Sequence, residues 1–535
     1  MSTVNKVSTA NLSTTKIDEQ WKGTLIFFIK IGGFRMFNLV EKELKERENF
    51  SITENGAIGY KSTDSALVDL NYKISSFRNS SEEEIIEAFE KAFNEDKEYT
   101  IKWLFFARDI REGLGERRLF RICYKALFDL NKNAFFKNLK YISEYGRWDD
   151  LVSLLNINRF SDEVIIEIIK SQLQEDLSNL EKGEPISLLA KWLPSENASS
   201  VETKKSAKII RRYLNMSSKE YRLMLSKLRK HLKVIERFMC KKQWKKIDYE
   251  TVPSMANLKY KEAFLRNDRI RRKEYLVSVS EGKKSMNMKV ATPVDVVARY
   301  TKSFWRKIED YDETLEVAWK NLKDIEIKDT LVVADGSGSM TVPVNKGNTT
   351  ALDVANALAI YTSEHNSGVY KNKYITFSQT PRFVDFSDKV SLFDKINLAF
   401  KHNEVANTNI EAVFDLILKI AIENKIPQDE MIKNILIISD MEFDMAQSSR
   451  RPLQKTLFFD ISKKYEEAGY KLPKLAFWNV CSRTKTIPVK ENDLGVCLIS
   501  GYSQNVLQMV MSEKYDPYEV LIEMLDKERY EKITC

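Results

Sequence analysis

The sequence has 535 residues, of which 43% are hydrophobic and 30% charged, with only 17 glycines and 11 prolines. This balance excludes a mainly disordered, collagen-like or turn-rich all-β chain, and the length is more than one hydrophobic core usually organises. The longest apolar run near the N-terminus, Leu25–Ile29, is too short to span a membrane, and no secretory signal pattern precedes it. We therefore expect a cytoplasmic protein of several domains that makes no contact with a membrane.

The first half of the chain is predicted to be helical. After an N-terminal extension of residues 1–30, apolar residues in the region 31–320 recur with the period of helices. Glu83–Phe93 is a clear example, because its apolar residues share one face and a pair of serines, which can cap a helix, precedes it. Short helices with no strand between them predict an α-helical repeat, as a HEAT-like solenoid or ring, or a bundle of helical pairs. No fixed repeat period is visible.

The middle of this helical region is strongly basic. Residues 201–290 contain 26 Lys+Arg and 9 Asp+Glu, a net charge of +17, whereas the rest of the chain carries −9 of the total of +8. Aromatic residues such as Tyr213, Tyr221 and Trp244 are interspersed with the cations. Clustered cations neutralise phosphates and aromatic rings stack on unpaired bases, so the stretch predicts RNA binding. The predicted RNA-binding residues are Lys204, Lys205, Lys208, Arg211, Arg212, Lys230, Lys241, Lys242, Lys245, Lys246, Arg269, Arg271 and Arg272.

Other interpretations of the charged residues stay open. The basic stretch could be a solvated helix surface whose aromatic residues belong to the core, or it could meet acidic protein or lipid. A second charged cluster could face RNA or form a network of ion pairs, and three acids among four arginines favour the network. Its members are Arg108, Asp109, Arg111, Glu112, Glu116, Arg117 and Arg118.

The chain changes character near residue 328, where short apolar runs begin to alternate with helical segments. The runs 330–334, 373–377, 434–439, 474–480 and 495–500 are separated for the most part by the predicted helices 351–365, 410–423, 453–468 and 503–510. This alternation predicts, for residues 328–535, a doubly wound, mostly parallel sheet with helices on both faces. The fold class is therefore α + α/β. Ligands of such sheets bind at the carboxyl ends of the strands.

Oxygen-bearing side chains occur at those predicted strand ends. Asp335, Ser337 and Ser339 follow the first strand in a D-x-S-x-S pattern, Thr408 precedes a predicted helix, and Asp440 ends a later strand. Carboxylates and hydroxyls are the hard ligands that Mg²⁺ prefers. The combination predicts a site for Mg²⁺ or another divalent cation, although Asp, Gly and Ser are also ordinary turn residues.

The region from residue 328 to the C-terminus resembles a von Willebrand factor type A domain, and the five residues match its metal-ion-dependent adhesion site. The resemblance implies that Ser337, Ser339 and Thr408 ligate the metal directly and that Asp335 and Asp440 act partly through water. It also implies an open coordination position for an acidic partner. The family commonly has an acidic residue after the threonine, where this chain has Asn409.

A helical region followed by a type A domain resembles the TROVE family, the Ro-like ribonucleoproteins, and most closely an uncharacterised TROVE-like family of plants, giant viruses and bacteria. This resemblance implies helical repeats in a ring or horseshoe that the type A domain closes or caps, with RNA bound on a basic surface. It rests on Asn55-Gly56, residues 65–70, Arg108-Asp109, residues 113–117, 144–151, 191–196, 439–444, 477–479 and 500–503.

The sequence thus predicts a non-enzymatic protein that binds structured or misfolded RNA, with a metal site for an acidic protein partner or for ring closure. No catalytic residues and no small-molecule substrate are predicted, because no nucleophile–base pair is recognisable. The alternative is a metal-dependent protein assembly module that binds no RNA. A Mg²⁺-dependent hydrolase is a third and weaker hypothesis, because one metal with neutral hydroxyl ligands lacks a positioned general base.

Overall fold

A computed structural model describes residues 36, 38–42, 44–46, 48–155, 159–301, 310–344, 348–404, 406–445, 456–490, 495–514 and 516–535. The chain divides into two units, residues 1–50 and residues 51–535. In the first unit, the described residues between 36 and 48 are helical and almost all exposed. The predicted extension of residues 1–30 lies outside the described residues, and everything below concerns the second unit.

Helices follow one another from residue 66 to residue 320, as the periodicity predicts. The predicted helix 83–93 is confirmed as Glu82–Glu95: Ser81 caps it by accepting a hydrogen bond from the Glu84 amide, and Ile85, Phe89 and Phe93 are buried. The α-helices are α1 Ala66–Tyr72, α2 Glu82–Glu95, α3 Lys97–Arg108, α4 Arg117–Leu130, α5 Lys132–Asn138, α6 Ile142–Tyr145, α7 Trp148–Val152, α8 Arg159–Lys182, α9 Leu189–Trp192, α10 Val201–Tyr213, α11 Ser218–His231, α12 Ile235–Cys240, α13 Ser254–Lys259, α14 Lys261–Asn267, α15 Arg269–Ser280, α16 Pro293–Val297 and α17 Glu313–Lys320.

The remaining helices belong to the second half of the chain and alternate with strands. The helices are α18 Ala351–Glu364, α19 Leu392–His402, α20 Glu411–Asn424, α21 Leu457–Glu467, α22 Leu507–Val510 and α23 Pro517–Leu525. The strands of the chain are β1 Phe50–Ile52, β2 Ile58–Tyr60, β3 Thr330–Asp335, β4 Lys373–Phe377, β5 Arg382–Asp385, β6 Asn434–Ser439, β7 Lys474–Asn479 and β8 Val496–Ser500. No described helix is both long and apolar enough to cross a membrane.

The six strands β3 to β8 form one sheet in the order β5-β4-β3-β6-β7-β8, and all neighbours are parallel except β4 and β5. The coarse prediction of a mostly parallel sheet among helices is therefore confirmed. Strand β5 was not predicted, because three of its four residues are exposed and it carries no apolar run. The carboxyl ends of β3, β6 and β7 lie side by side at one edge, which is the rim on which the predicted metal ligands stand.

The two faces of the sheet belong to different hydrophobic clusters. Val332 and Ala334 of β3 join a cluster that is continuous with the helical region, whereas Leu331 and Val333 join the cluster on the opposite face. Successive side chains of a strand point to opposite faces, so one strand contributes to both cores. The helical region and the sheet therefore fold around shared apolar surface.

The helical region contacts the sheet half of the chain at both of its ends. Helix α1 packs against β8 and α23, and helix α16 packs against α18. The C-terminal segment returns to the helical region, where α23 packs against α3 and Tyr530 stacks on Tyr145. Arg529 and Tyr530 both donate hydrogen bonds to Asp109. Residues near the C-terminus thus complete the core of the first half.

Candidate metal centre and nucleic-acid interface

The loop after β3 is fixed to the neighbouring loop by backbone hydrogen bonds. The Gly336 amide donates to the Phe377 carbonyl (2.8 Å), and the Gly338 amide donates to the Ala406 carbonyl (2.9 Å). A side chain at position 336 would place its Cβ 2.8 Å from Oγ1 of Thr376, so this close approach requires glycine. The loop that carries Asp335, Ser337 and Ser339 is in this way held beside the loop that carries Thr408.

Asp335, Ser337 and Ser339 converge within this loop. The Ser337 amide donates to Asp335 Oδ1 (2.9 Å), and the hydroxyl oxygens of Ser337 and Ser339 lie 3.0 Å apart. The hydroxyl of Ser439, at the end of β6, donates to Asp335 Oδ2 (2.6 Å). Asp335 and Ser337 are almost fully buried. The three predicted ligands therefore face a common point below the surface.

Asp440 lies beside them, paired with an arginine. Its Oδ2 accepts a hydrogen bond from Arg483 Nη1 (2.9 Å), and the same nitrogen lies 3.4 Å from the Ser339 carbonyl oxygen. Burial, followed by the negative charge of Asp440, raises the pKa of Asp335. Burial also raises the pKa of Asp440, against the opposing effect of Arg483. Burial makes both carboxyl groups harder to ionise, and a nearby cation would stabilise their ionised forms.

Thr408 lies in the neighbouring loop, two residues after Ala406, whose carbonyl accepts from the Gly338 amide. The Thr408 Oγ1 accepts a hydrogen bond from Asn55 Nδ2 (3.1 Å), and the Thr408 carbonyl accepts one from the Asp444 amide (3.0 Å). Asn409, which stands where the type A family commonly has an acid, accepts a hydrogen bond from the Ala412 amide at the start of α20. This asparagine therefore caps the helix, and the predicted ligand set contains two carboxylates, Asp335 and Asp440.

The donor set of the rim fits a small hard cation. Neighbouring oxygen ligands of octahedral Mg²⁺, at about 2.1 Å from the ion, lie roughly 3 Å apart. The 3.0 Å separation of the Ser337 and Ser339 hydroxyls matches this value. Among the described residues, no group of three or more His, Cys, Asp or Glu side chains is placed to hold a metal ion. A cation at the rim would consequently depend on hydroxyl ligands together with two carboxylates.

Three rim residues were not assigned a role from the sequence: Asn55, Glu442 and Arg483. The buried Glu442 carboxylate accepts hydrogen bonds from the amides of Glu54 (2.9 Å), Arg483 (2.8 Å) and Thr484 (2.9 Å). It thereby holds the β1–β2 turn and the segment after β7 at the rim. Asn55 and Glu442 do lie in the quoted family motifs, but nothing in the sequence pairs them across almost 390 positions.

The helical region contains a large basic cavity of about 1120 Å³. Arg117, Arg147, Lys191, Arg237 and Lys259 contribute cations to its wall. Its apolar wall includes Trp192, Leu193, Pro194, Val234, Met255 and Tyr260. The guanidinium of Arg147 stacks on the Trp192 ring at 4.2 Å from the ring centroid. Cations around an apolar, aromatic floor can hold both the phosphate and the base of a nucleotide.

A second basic cavity, of about 960 Å³, adjoins the first. Arg117 lies in the wall of both cavities. Helix α4 contributes Arg118 and Lys125 to the second cavity, and helix α10 contributes basic residues from the opposite wall. These are Lys205, Lys208 and Arg212. We refer to the two cavities together as the basic groove, defined by these two sets of lining residues and their common residue Arg117.

The chain matches two family models, each described as a domain of unknown function. DUF2828 matches residues 53–167 and 159–331, and DUF7788 matches residues 329–533. The chain is also 32% identical, over 518 residues, to an uncharacterised protein of Acanthamoeba polyphaga mimivirus, with 89% of this chain and 87% of that protein covered. The chain belongs to the DUF2828 family. The two models meet where β3 of this DUF2828 protein begins.

Only some of the predicted RNA-binding residues line the groove of this DUF2828 protein. Lys205, Lys208 and Arg212 do, and Lys204 is half-buried on the same helix. The others are placed outside the lining of both cavities. Of these, the exposed ones are Lys230, Lys241, Lys242, Lys245, Lys246 and Arg269.

Three of the predicted RNA contacts are better described as structural residues. Arg272 is fully buried, its guanidinium lies about 5 Å from the rings of Tyr249, Phe264 and Tyr275, and Nη1 donates to Asn257. The prediction for Arg272 is therefore wrong, because RNA cannot reach it. Arg211 is paired with Glu196 (2.7 Å), and Arg271 is paired with Asp268 (2.8 Å) and donates to two carbonyls.

The second charged cluster forms the network that its composition favours. Arg108 is buried and donates to Asp150 Oδ2 (2.9 and 2.6 Å), and Arg121 donates to Asp150 Oδ1 (2.7 Å). Arg78 pairs with Glu116 (2.5 Å). Arg117 differs from these residues: it is exposed, its nearest carboxylate oxygen is 3.8 Å away, and it lines both cavities. The mixed cluster thus contains groove residues as well as structural ones.

Proposed function

We propose that this DUF2828 protein is a non-enzymatic RNA-binding protein, with a scaffold of TROVE-like helical repeats and a von Willebrand type A domain. The observation that carries the proposal is the basic groove. Its two cavities have volumes of about 1120 and 960 Å³, and cations line both of them. Lys205, Lys208 and Arg212 are exposed and form no salt bridge with any described residue. Unpaired cations in a concave surface attract a polyanion.

The shape and chemistry of the groove favour RNA over an acidic protein. The first cavity combines cations with Trp192 and Tyr260, and an unstacked base can lie against such rings. Among the other lining residues, acids are few: Glu236 in the first cavity, and Glu82 and Glu202 in the second. Structured or misfolded RNA that exposes unpaired bases would satisfy both the apolar and the cationic parts of this surface.

The metal site, in this proposal, holds the protein together rather than capturing a partner. Ser337, Ser339 and Thr408 would hold a divalent cation directly, with Asp335 and Asp440 behind them, and the cation would neutralise the two buried carboxylates. All of these except Ser339 are buried, and the β1–β2 turn lies over Thr408. The occupant of the open side is therefore the chain's own N-terminal hairpin. Of the two predicted roles of the metal site, this proposal therefore favours closure of the helical scaffold over capture of a partner.

Neutralising the groove tests the RNA-binding proposal. The triple variant Lys205→Gln, Lys208→Gln, Arg212→Gln should weaken binding of a fluorescent stem-loop RNA with a single-stranded tail by about tenfold or more in 50 mM salt. The matched control is Lys419→Gln, Lys425→Gln, Lys433→Gln, which removes the same charge from exposed positions of the sheet half. Fluorescence anisotropy at several salt concentrations is the measurement. Equal affinities for the two triple variants would refute the proposal.

A further inference from the structure

The Arg483 guanidinium bridges two carboxylates at the rim. Its Nη1 donates to Asp440 Oδ2 (2.9 Å), while Nε and Nη2 donate to the two carboxylate oxygens of Glu54 (2.7 Å each). Asp440 is fully buried, whereas the Glu54 side chain is 48% exposed. One cation thus connects a predicted metal-binding carboxylate to the N-terminal hairpin.

The backbone of Arg483 is held by a buried carboxylate, whereas its guanidinium is partly exposed to solvent. The Arg483 and Thr484 amides both donate to the buried carboxylate of Glu442, which fixes the loop. The Glu54 amide donates to the same carboxylate, and Asn55 donates to Thr408 and to the Glu442 carbonyl. The guanidinium itself is partly exposed. If it left Asp440 it would keep its two hydrogen bonds to Glu54, so the guanidinium would stay paired, and the buried Asp440 would need a cation as its new partner.

We propose that Arg483 and a divalent cation are alternative partners of Asp440, and that Glu54 sets the balance by holding Arg483 away from the metal. This inference rests on the proposed metal site. A cation bound to Ser337, Ser339 and Thr408 would be stabilised by the negative charge of Asp440. The Arg483 guanidinium binds that same carboxylate. Glu54 provides a second position in which the guanidinium is paired, so the hairpin makes cation binding easier. The rim then has two states, distinguished by the partner of Asp440.

The arrangement predicts opposite effects for the two partners of one ion pair. Arg483→Gln removes the competitor, so Mn²⁺ should bind about tenfold more tightly. Glu54→Gln leaves Arg483 with Asp440 as its remaining carboxylate, so Mn²⁺ should bind about threefold more weakly. The decisive variant is the double one. Because Glu54 acts through Arg483, Glu54→Gln should have no effect once Arg483 is replaced.

Calorimetric titration of the full chain with Mn²⁺ measures these affinities, and far-UV circular dichroism checks that each variant is folded. Lys485→Gln is the matched control, because it removes a positive charge two residues from Arg483 at a side chain paired with Glu84. If the effects of the single variants simply add in the double variant, long-range charge explains them and the proposal is overturned. Unchanged affinity in Arg483→Gln also overturns it. If the glutamine variant does not fold, Arg483→Met, which also removes the positive charge, replaces it with the same expected result.

Failure of the proposed metal site can be distinguished from failure of this inference. If the wild type and Ser337→Ala bind Mn²⁺ equally, or neither binds it, the site is wrong and this inference falls with it. If the wild type binds Mn²⁺ and Ser337→Ala does not, the site stands. The Arg483 and Glu54 variants then decide this inference alone.

Discussion

The rim and the basic groove differ in whether their charged side chains are buried and paired or exposed and unpaired. At the rim, Asp440 is paired with Arg483 and Asp335 accepts two hydrogen bonds, and both carboxylates are buried. In the groove, Lys205 and Lys208 are exposed and form no salt bridge with a described residue. The comparison teaches that charge density alone does not identify a binding surface. The more useful criterion is whether each charged side chain already has a partner within the protein.

The same distinction applies within the helical region. Arg108 and Arg272 are both cations of the helical region, yet both are buried: Arg108 is paired with Asp150, and Arg272 lies among aromatic rings. Arg117 is close to Arg108 in sequence but is exposed at the junction of the two cavities. Under the proposed function, internally paired cations stabilise the fold and unpaired cations bind RNA. Four predictions test this division.

The largest expected effect concerns the paired charges. Asp150→Asn should lower the free energy of unfolding by about 3–5 kcal/mol, because it leaves the buried Arg108 without its carboxylate. Asp150 also accepts from Arg121 and from the Arg147 amide, so three segments lose an anchor. Urea denaturation measures the change. The Lys205→Gln variant, as a control, should unfold like the wild type; comparable losses in both would remove the distinction between paired and unpaired charges.

The second prediction concerns the rim. Mg²⁺ at about one hundred times its dissociation constant should stabilise the wild type by about 2.7 kcal/mol, and Ser337→Ala should abolish this gain. Thermal unfolding with Mg²⁺ and with a chelator measures it. Ser363→Ala is the matched control, since Ser363 is a buried serine of the same half whose hydroxyl has no partner within the described residues. A Mg²⁺ effect that survives in Ser337→Ala would place the cation elsewhere.

Much of the rim could be predicted from the sequence, because it depends on local patterns. Asp335, Ser337 and Ser339 directly follow an apolar strand, and Asp440 ends another, so the topology of a parallel sheet brings them to one edge. Asn55 could not be placed in the same way, since its contact with Thr408 depends on a hairpin 353 positions away.

The groove was less predictable, because counting charges does not reveal burial. Helix α10 of the +17 stretch lines the groove. However, Arg272 lies among aromatic rings in the core, and nothing in its local sequence separates it from exposed Arg269. The opposite wall of the groove comes from α4, whose arginines alternate with apolar residues of a buried helix face. Only the packing of α4 against its neighbours shows which arginines remain available.

The third prediction isolates the residue that joins the two cavities. Arg117→Gln should reduce the slope of log affinity against log salt by about 0.7–0.9 and weaken RNA binding several-fold, as expected for the loss of one phosphate contact. Arg269 is a matched comparison, because it is an exposed arginine outside the lining of both cavities. Arg269→Gln should leave the salt slope unchanged. Equal slopes for the wild type and Arg117→Gln would mean that RNA does not pass between the cavities at this point.

The smallest expected effect concerns the exposed lysines outside the groove. Replacing Lys241, Lys242, Lys245 and Lys246 together with glutamine removes four charges, one more than the groove triple variant. Charge count alone therefore predicts the greater loss of RNA affinity for these lysines. The structure predicts the reverse, about threefold or less, because none of these four exposed lysines lines either cavity and salt screens the interactions of exposed charges. Anisotropy measured at 150 mM salt distinguishes the two. If the four lysines matter more than Lys205, Lys208 and Arg212, the RNA lies along the outer surface of the helical region and the groove is not its binding site.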